Sequence, residues 1–98
     1  MVRQMRSIIQ DDWATCYFCR RPATEKHHIY GGYSGIDRKL SEKYGLTVHL
    51  CHWCHNEPPN GVHFNKDRDD YLKAVGQRAF SEEHSPELFF NLFLRNYL

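Results

Sequence analysis

The chain has almost no net charge: thirteen Lys and Arg against twelve Asp and Glu leave +1 with histidine neutral. Such a balance does not by itself argue for a nucleic-acid partner. The spread is mildly uneven. Residues 1–43 hold eight basic and five acidic side chains, residues 44–98 five and seven, which permits a basic face able to meet phosphate. Long hydrophobic runs are also missing. No stretch approaches the ~20 apolar residues of a membrane helix, and Met1-Val-Arg-Gln-Met-Arg-Ser-Ile-Ile lacks the apolar core of a secretory signal. No membrane partner is expected, and a reducing, cytoplasmic setting is. Repeats and low-complexity segments are absent, and 98 residues leave no room for a second core. One domain, 1–98, is therefore expected.

A domain this small buries little surface and is marginal without a staple. The staple is in the cysteines. Cys16, Cys19, Cys51 and Cys54 form two Cys-x-x-Cys pairs separated by 31 residues. This is the spacing of a metal site rather than of a secreted disulfide framework. Each pair turns the backbone so that two sulfurs converge, and two pairs complete a closed tetrahedral zinc site. Binding of zinc to such a site contributes on the order of 10 kcal/mol of apparent folding free energy. Buried free thiols and a redox pair are the competing readings, and neither pair lies in a βαβ context that would favour redox chemistry.

Local signals then order the chain. Residues 2–10 alternate loosely, as a short strand leading into the first pair would. Arg20-Arg21-Pro22 ends the knuckle, because proline interrupts a ladder. Glu25–Tyr30 reads as extended and runs into the loop signal Gly31-Gly32, Ser34-Gly35. Asp37–Tyr44 contains a helical turn closed by Gly45. Leu46–Leu50 alternates and has β-branched content, so it reads as a second strand. Pro58-Pro59-Asn60-Gly61 is a turn. Asn65 caps a helix with early aspartates and a stripe of Tyr71, Leu72, Val75 and Ala79. Ser85-Pro86-Glu87 starts another, whose aromatic residues read as core.

Of the seven histidines, His27, His28, His55 and His63 fall near the turn-rich connections. Neutral imidazole is a metal ligand and, with a reference pKa near ~6.5, a usable general base. An adjacent His27-His28 pair can divide this labour, one ring holding a divalent ion and the other activating water.

Cys-x-x-Cys, then His-His-Ile, then Leu-Cys-x-x-Cys-His resembles the HNH nuclease superfamily over about residues 16–65. Within it, "HHIYGG", "RKLSEKYGLTVHLC" and "CHNEPPNGVHFNK" look like small phage- and prophage-encoded HNH-like proteins of Gram-positive bacteria. The resemblance implies an α+β fold: a small ββα-metal, treble-clef-like zinc domain with a core about 16–65 and C-terminal helices about 65–98. It implies metal-dependent phosphodiester hydrolysis of DNA by an endonuclease or nickase in the cytoplasm of a bacterial host. His28 takes the place of the general base and His27 that of the first-strand ligand. His55 takes the place of the closing histidine, with His63 a nearly equal candidate.

Phosphodiester hydrolysis also needs charge neutralised at the scissile phosphate. A catalytic Mg²⁺, Mn²⁺ or Ni²⁺ would serve, with imidazole ligands biasing the choice away from Mg²⁺. Arg38, Lys39 and Lys43, in the loop between the strands, are placed to meet phosphates; a solvated charged loop is the plainer reading of each.

One letter of the signature is missing. No asparagine lies between His28 and Cys51. In the family that side chain pins the loop and orients the base; Ser41, Glu42 and Asp37 are the candidates to replace it, since each accepts from backbone N–H groups. The alternative is a non-catalytic zinc-knuckle module that binds nucleic acid or a host or phage protein.

Overall fold

Two strands carry the first histidines and lead to the second cysteine pair. In the computed structural model, which describes residues 6–31 and 35–98, β1 (Glu25–His28) pairs antiparallel with β2 (Thr47–Leu50). His27 stands opposite Val48, and His28 opposite Thr47. The connection between them contains α1 (Ile36–Tyr44), a full helix rather than a turn. Gly45 ends it at φ 70°, a left-handed conformation cheap only for glycine. Its N–H reaches Glu42 O at 3.5 Å while Leu46 N–H donates to Ser41 O at 2.8 Å, the paired bonds of a Schellman stop. That stop turns the chain directly into β2.

Past β2 comes α2 (His52–Asn56), a short helix the sequence reading did not anticipate. Five residues are too few for any hydrophobic period to show. The Pro58–Gly61 turn follows, then α3 (Lys66–Glu83) and α4 (Pro86–Phe93). Both caps act as their residue types require: Asn65 Oδ1 accepts from Arg68 N–H at 3.1 Å, and Ser85 Oγ from Leu88 N–H at 3.0 Å. The result is a small α+β arrangement with a two-stranded sheet. No helix among the described residues is long and apolar enough to cross a membrane.

Three expectations are corrected. Residues 6–10 are not a strand, and 1–5 lie outside the described residues. Side chains attach this segment to β2 instead: Ser7 Oγ donates to Thr47 O, and Gln10 Oε1 accepts from His49 N–H at 2.8 Å. Pro22 does not keep its segment from bridging. It forms an isolated bridge with Thr15, because the donors used there are Cys16 N–H and Ala23 N–H, so the missing proline N–H is never called upon. The buried line of α3 is Leu72–Gly76–Phe80, whereas Tyr71 is exposed and Val75 and Ala79 are only half buried.

Gly76 belongs to that line because Tyr30 lies across it; a Cβ there would sit 2.8 Å from Tyr30 Oη. Tyr30 packs on Phe93 (4.7 Å between ring centroids) and Phe89 (5.5 Å), with Phe80 behind them. Of the α4 aromatics, Phe89 and Phe93 are core as expected, and Phe90 faces outward. Tyr30 lies two residues past β1, so this aromatic cluster holds the end of the strand bearing His27 and His28.

Candidate metal centres

The four cysteine sulfurs come within 4.8 Å of one another. Cys19 Sγ and Cys51 Sγ are 3.5 Å apart. Four sulfurs at ~2.3 Å from a tetrahedral zinc stand ~3.8 Å from each other, so the cluster already has the size of a sulfur-ligated site. Local structure explains the convergence. The Cys16–Cys19 turn closes through Arg20 N–H on Cys16 O at 3.1 Å, and α2 begins at once after Cys51, bringing Cys54 inward.

Crowding sets the thiols of the cluster far apart in acidity. Burial raises the Cys16 thiol, but backbone N–H groups from Cys19, Cys51 and Phe18 overcome it and draw it down to about 7. Burial and the neighbouring Cys51 push Cys54 up to about 12. Four thiolates cannot coexist here without a positive ion between them. Arg68 of α3 donates to Cys54 Sγ at 3.6 Å while its guanidinium lies 4.6 Å from the Phe18 ring centroid. Sequence spacing gave no hint of that contact.

A second cluster lies nearby in the fold. Ligand nitrogens of His27, His55 and His63 all fall within 4.8 Å of one another. His27 comes from β1, His55 from α2, and His63 from the turn before α3. Both sequence candidates for the closing ligand are therefore in the same cluster. His63 Nε2 and His55 Nε2 are 3.0 Å apart, close to the ~3 Å expected between neighbouring nitrogens at ~2.0–2.1 Å from one ion. His27 is only 5 % exposed, its ring edge-on to both partners, at 5.1 Å from His55 and 5.2 Å from His63. Its Nε2 is buried with no hydrogen-bond partner. An unpaired buried polar atom costs ~1–3 kcal/mol, and a cation bound there would offset that cost. Burial, then repulsion from His55 and His63, lowers the His27 pKa to about 3, so the ring is neutral and free to ligate. Three imidazole ligands suit Mn²⁺, Ni²⁺, Co²⁺ or Zn²⁺ better than Mg²⁺.

His28 serves a different partner. Its Nε2 lies 2.9 Å from Glu42 Oε2 on α1, and Glu42 Oε1 accepts from Lys26 Nζ at 2.7 Å. Consecutive strand residues alternate in direction, which is why His27 and His28 diverge. A carboxylate only accepts, so neutral His28 carries its proton on Nε2 and its lone pair on Nδ1. Burial lowers the His28 pKa against the pull of Glu42, leaving the ring neutral at pH 7. The residue before Glu42, Ser41, accepts through Oγ from Tyr30 N–H at 3.1 Å and donates to Tyr30 O at 2.8 Å.

Arg38, Lys39 and Lys43 do not lie in a loop. They are exposed on α1, where Arg38 stands near enough to His28 to oppose its protonation, and Lys43 lies over the Tyr44 ring. The remaining histidines go elsewhere: His49 stacks on Trp13, His84 packs on Phe80 and Tyr44, and His52 bridges Glu25 and Glu57. A surface cleft of about 680 Å³ beside the first cysteine pair, lined by Gln10, Asp12, Tyr17 and Tyr71 among others, contains no histidine. Sequence reasoning missed Glu25 altogether; its roles come from contacts 27–31 residues away in the chain.

No family model, curated protein or solved structure matches this chain.

Proposed function

We propose that the protein is a metal-dependent DNA endonuclease or nickase of HNH type, with a treble-clef-like zinc knuckle on Cys16, Cys19, Cys51 and Cys54. The observation that carries this reading is His27 Nε2, buried and unpaired among two further imidazoles. Such an arrangement destabilises a fold that makes no use of it. His27, His55 and His63 would hold a divalent ion, and His28, the next residue of β1, would act as general base through Nδ1. A bound ion would supply Lewis acidity to the phosphoryl and leaving oxygens. The chain's own residues do the rest. Glu42 fixes the His28 tautomer, Lys26 balances that carboxylate, and the exposed Arg38, Lys39 and Lys43 of α1 offer charge to flanking phosphates.

The order of the parts supports the fold half of this proposal: cysteine pair, strand, helix, strand, cysteine pair, short helix. The missing asparagine and near-neutral charge favour a second reading, a non-catalytic knuckle that binds nucleic acid or a protein. Cleavage of supercoiled plasmid separates the two. Zinc-loaded protein is assayed with EDTA, Mg²⁺, Mn²⁺ and Ni²⁺, beside a His28→Ala variant shown to keep its zinc and its melting temperature. Nicking that needs an added ion and disappears in the variant is expected. No cleavage in any arm, or equal cleavage by the variant, overturns the nuclease reading.

A further inference from the structure

We propose that Glu25 is a positioning residue for the three-histidine cluster, acting through His55; this rests on the reading of that cluster as an ion site. Glu25 opens β1 two residues before His27, so the two side chains share a face of the strand. Its Oε1 accepts from His55 Nδ1 at 2.6 Å and from Asn56 Nδ2 at 2.6 Å. Its Oε2 accepts from His52 Nδ1 at 3.1 Å. All three partners belong to α2. One carboxylate therefore ties the strand that carries one imidazole of the cluster to the helix that carries another.

The chemistry follows from the donor inventory. A carboxylate has no proton to give, so His55 must carry its hydrogen on Nδ1. Neutral His55 then presents the Nε2 lone pair, the nitrogen 3.0 Å from His63 Nε2. Without Glu25 nothing at Nδ1 enforces that tautomer, and Asn56 Nδ2, 3.1 Å from Nδ1, favours the opposite one by donating to it. A ligating histidine whose other nitrogen donates to a carboxylate is a recurrent feature of metal sites, and loss of the carboxylate costs ~10–100-fold in ion affinity. Simple ion pairing would not have this consequence, since attraction between charges does not choose which nitrogen of a neutral ring holds the proton.

The test uses zinc-loaded, ¹⁵N-labelled protein in two measurements. Long-range ¹H–¹⁵N spectra without added ion report which His55 nitrogen is protonated, and calorimetric titration with Ni²⁺ reports affinity. In the unsubstituted protein, His55 is expected protonated at Nδ1. Glu25→Ala should move the proton to Nε2 in part or whole and weaken Ni²⁺ binding ~10–100-fold. Glu25→Gln can still accept from Nδ1–H through its amide oxygen, so it should keep the tautomer and lose less affinity. An unsubstituted protein with Nε2–H on His55 overturns the proposal without any variant. So does Ni²⁺ binding that Glu25→Ala leaves unchanged, and in that case the ion site itself survives. An unsubstituted protein that takes no Ni²⁺ removes the ion site and this inference together.

Discussion

Replacing His27 by phenylalanine should make the ion-free protein more stable while removing its response to ions. The His27 ring is neutral, buried and edge-on to two imidazoles, and its Nε2 lacks a hydrogen-bond partner. A phenyl ring keeps the planar shape and the edge-on contacts and deletes the orphan atom, relieving ~1–3 kcal/mol. The slightly larger ring returns part of that gain as crowding. The net expectation is about 1 kcal/mol of stabilisation, or ~4–8 °C in a domain of this size. Ion binding acts in the other direction. Ni²⁺ at ~100 times its Kd should add ~2.7 kcal/mol to the unsubstituted protein and nothing to the variant. Thermal melts of zinc-loaded protein with and without Ni²⁺ should therefore cross: the variant melts higher without the ion and lower with it. A variant that is less stable without Ni²⁺, or that gains as much from Ni²⁺ as the original, refutes the reasoning.

Three further expectations concern the rest of the molecule. Cys51→Ser should abolish stoichiometric zinc and the cooperative melt, because the ~10–16 kcal/mol that such a site contributes is as large as the ~5–15 kcal/mol net stability of a typical domain; retained zinc, measured by atomic absorption, would exclude the four-sulfur site. The Glu42 carboxyl is raised by burial but pulled down further by Lys26 and His28, so its folded pKa lies below its unfolded one. Its contribution is thus complete above the ordinary carboxylate value of ~4.3 and is lost as pH falls through the folded value. Glu42→Gln should flatten that acid limb in urea titrations across pH, and an unchanged limb would dismiss the pairing. Gly76→Ala, normally worth up to ~1 kcal/mol to a helix, should destabilise here because Tyr30 Oη stands 2.8 Å from the new Cβ. In a Tyr30→Phe background the penalty should shrink, a coupling that a double-mutant cycle reads directly.

What the sequence disclosed, and what it withheld, follows the range of the interactions. Cys-x-x-Cys geometry is made within four residues, so the meeting of Cys16, Cys19, Cys51 and Cys54 was legible from spacing alone. The caps at Asn65 and Ser85 and the stop at Gly45 are local in the same sense. The stripe on α3 was only half legible, since Gly76 replaces an apolar side chain for a reason that lies in Tyr30, 46 positions earlier. The α2 helix was illegible because five residues contain less than two turns. Glu25 was hidden for a different reason, and Glu42 was visible only as one of three candidates for the asparagine's place, with no imidazole assigned to it. A glutamate on a strand or helix is ordinary until tertiary structure sets an imidazole against it, and these partners are 14–30 residues distant. Arg38, Lys39 and Lys43 were seen as charges but placed in a loop, because the helix begins before them at Ile36, behind a glycine at φ 75°.

On the nuclease reading, α1 would take over the tasks of the absent asparagine. One asparagine side chain would both pin the backbone and orient the base. Here two consecutive residues stand where those tasks could be shared: Ser41 makes both hydrogen bonds to the Tyr30 backbone, and Glu42 meets His28. The division has a measurable consequence. Ser41 is fully buried, and its hydroxyl satisfies a buried N–H and a buried C=O at once. Ser41→Ala would strand both, at ~1–3 kcal/mol each before relaxation, so a loss of roughly 2–4 kcal/mol in urea unfolding is expected. Glu42→Ala breaks contacts at the partly exposed side of the helix and should cost far less in stability. On the nuclease reading its effect should instead appear in turnover, because His28 would lose the acceptor that holds its proton on Nε2. A Ser41→Ala variant as stable as the original, or a Glu42→Ala variant with full cleavage and an unchanged His28 tautomer, would show that α1 does not take over the asparagine's role.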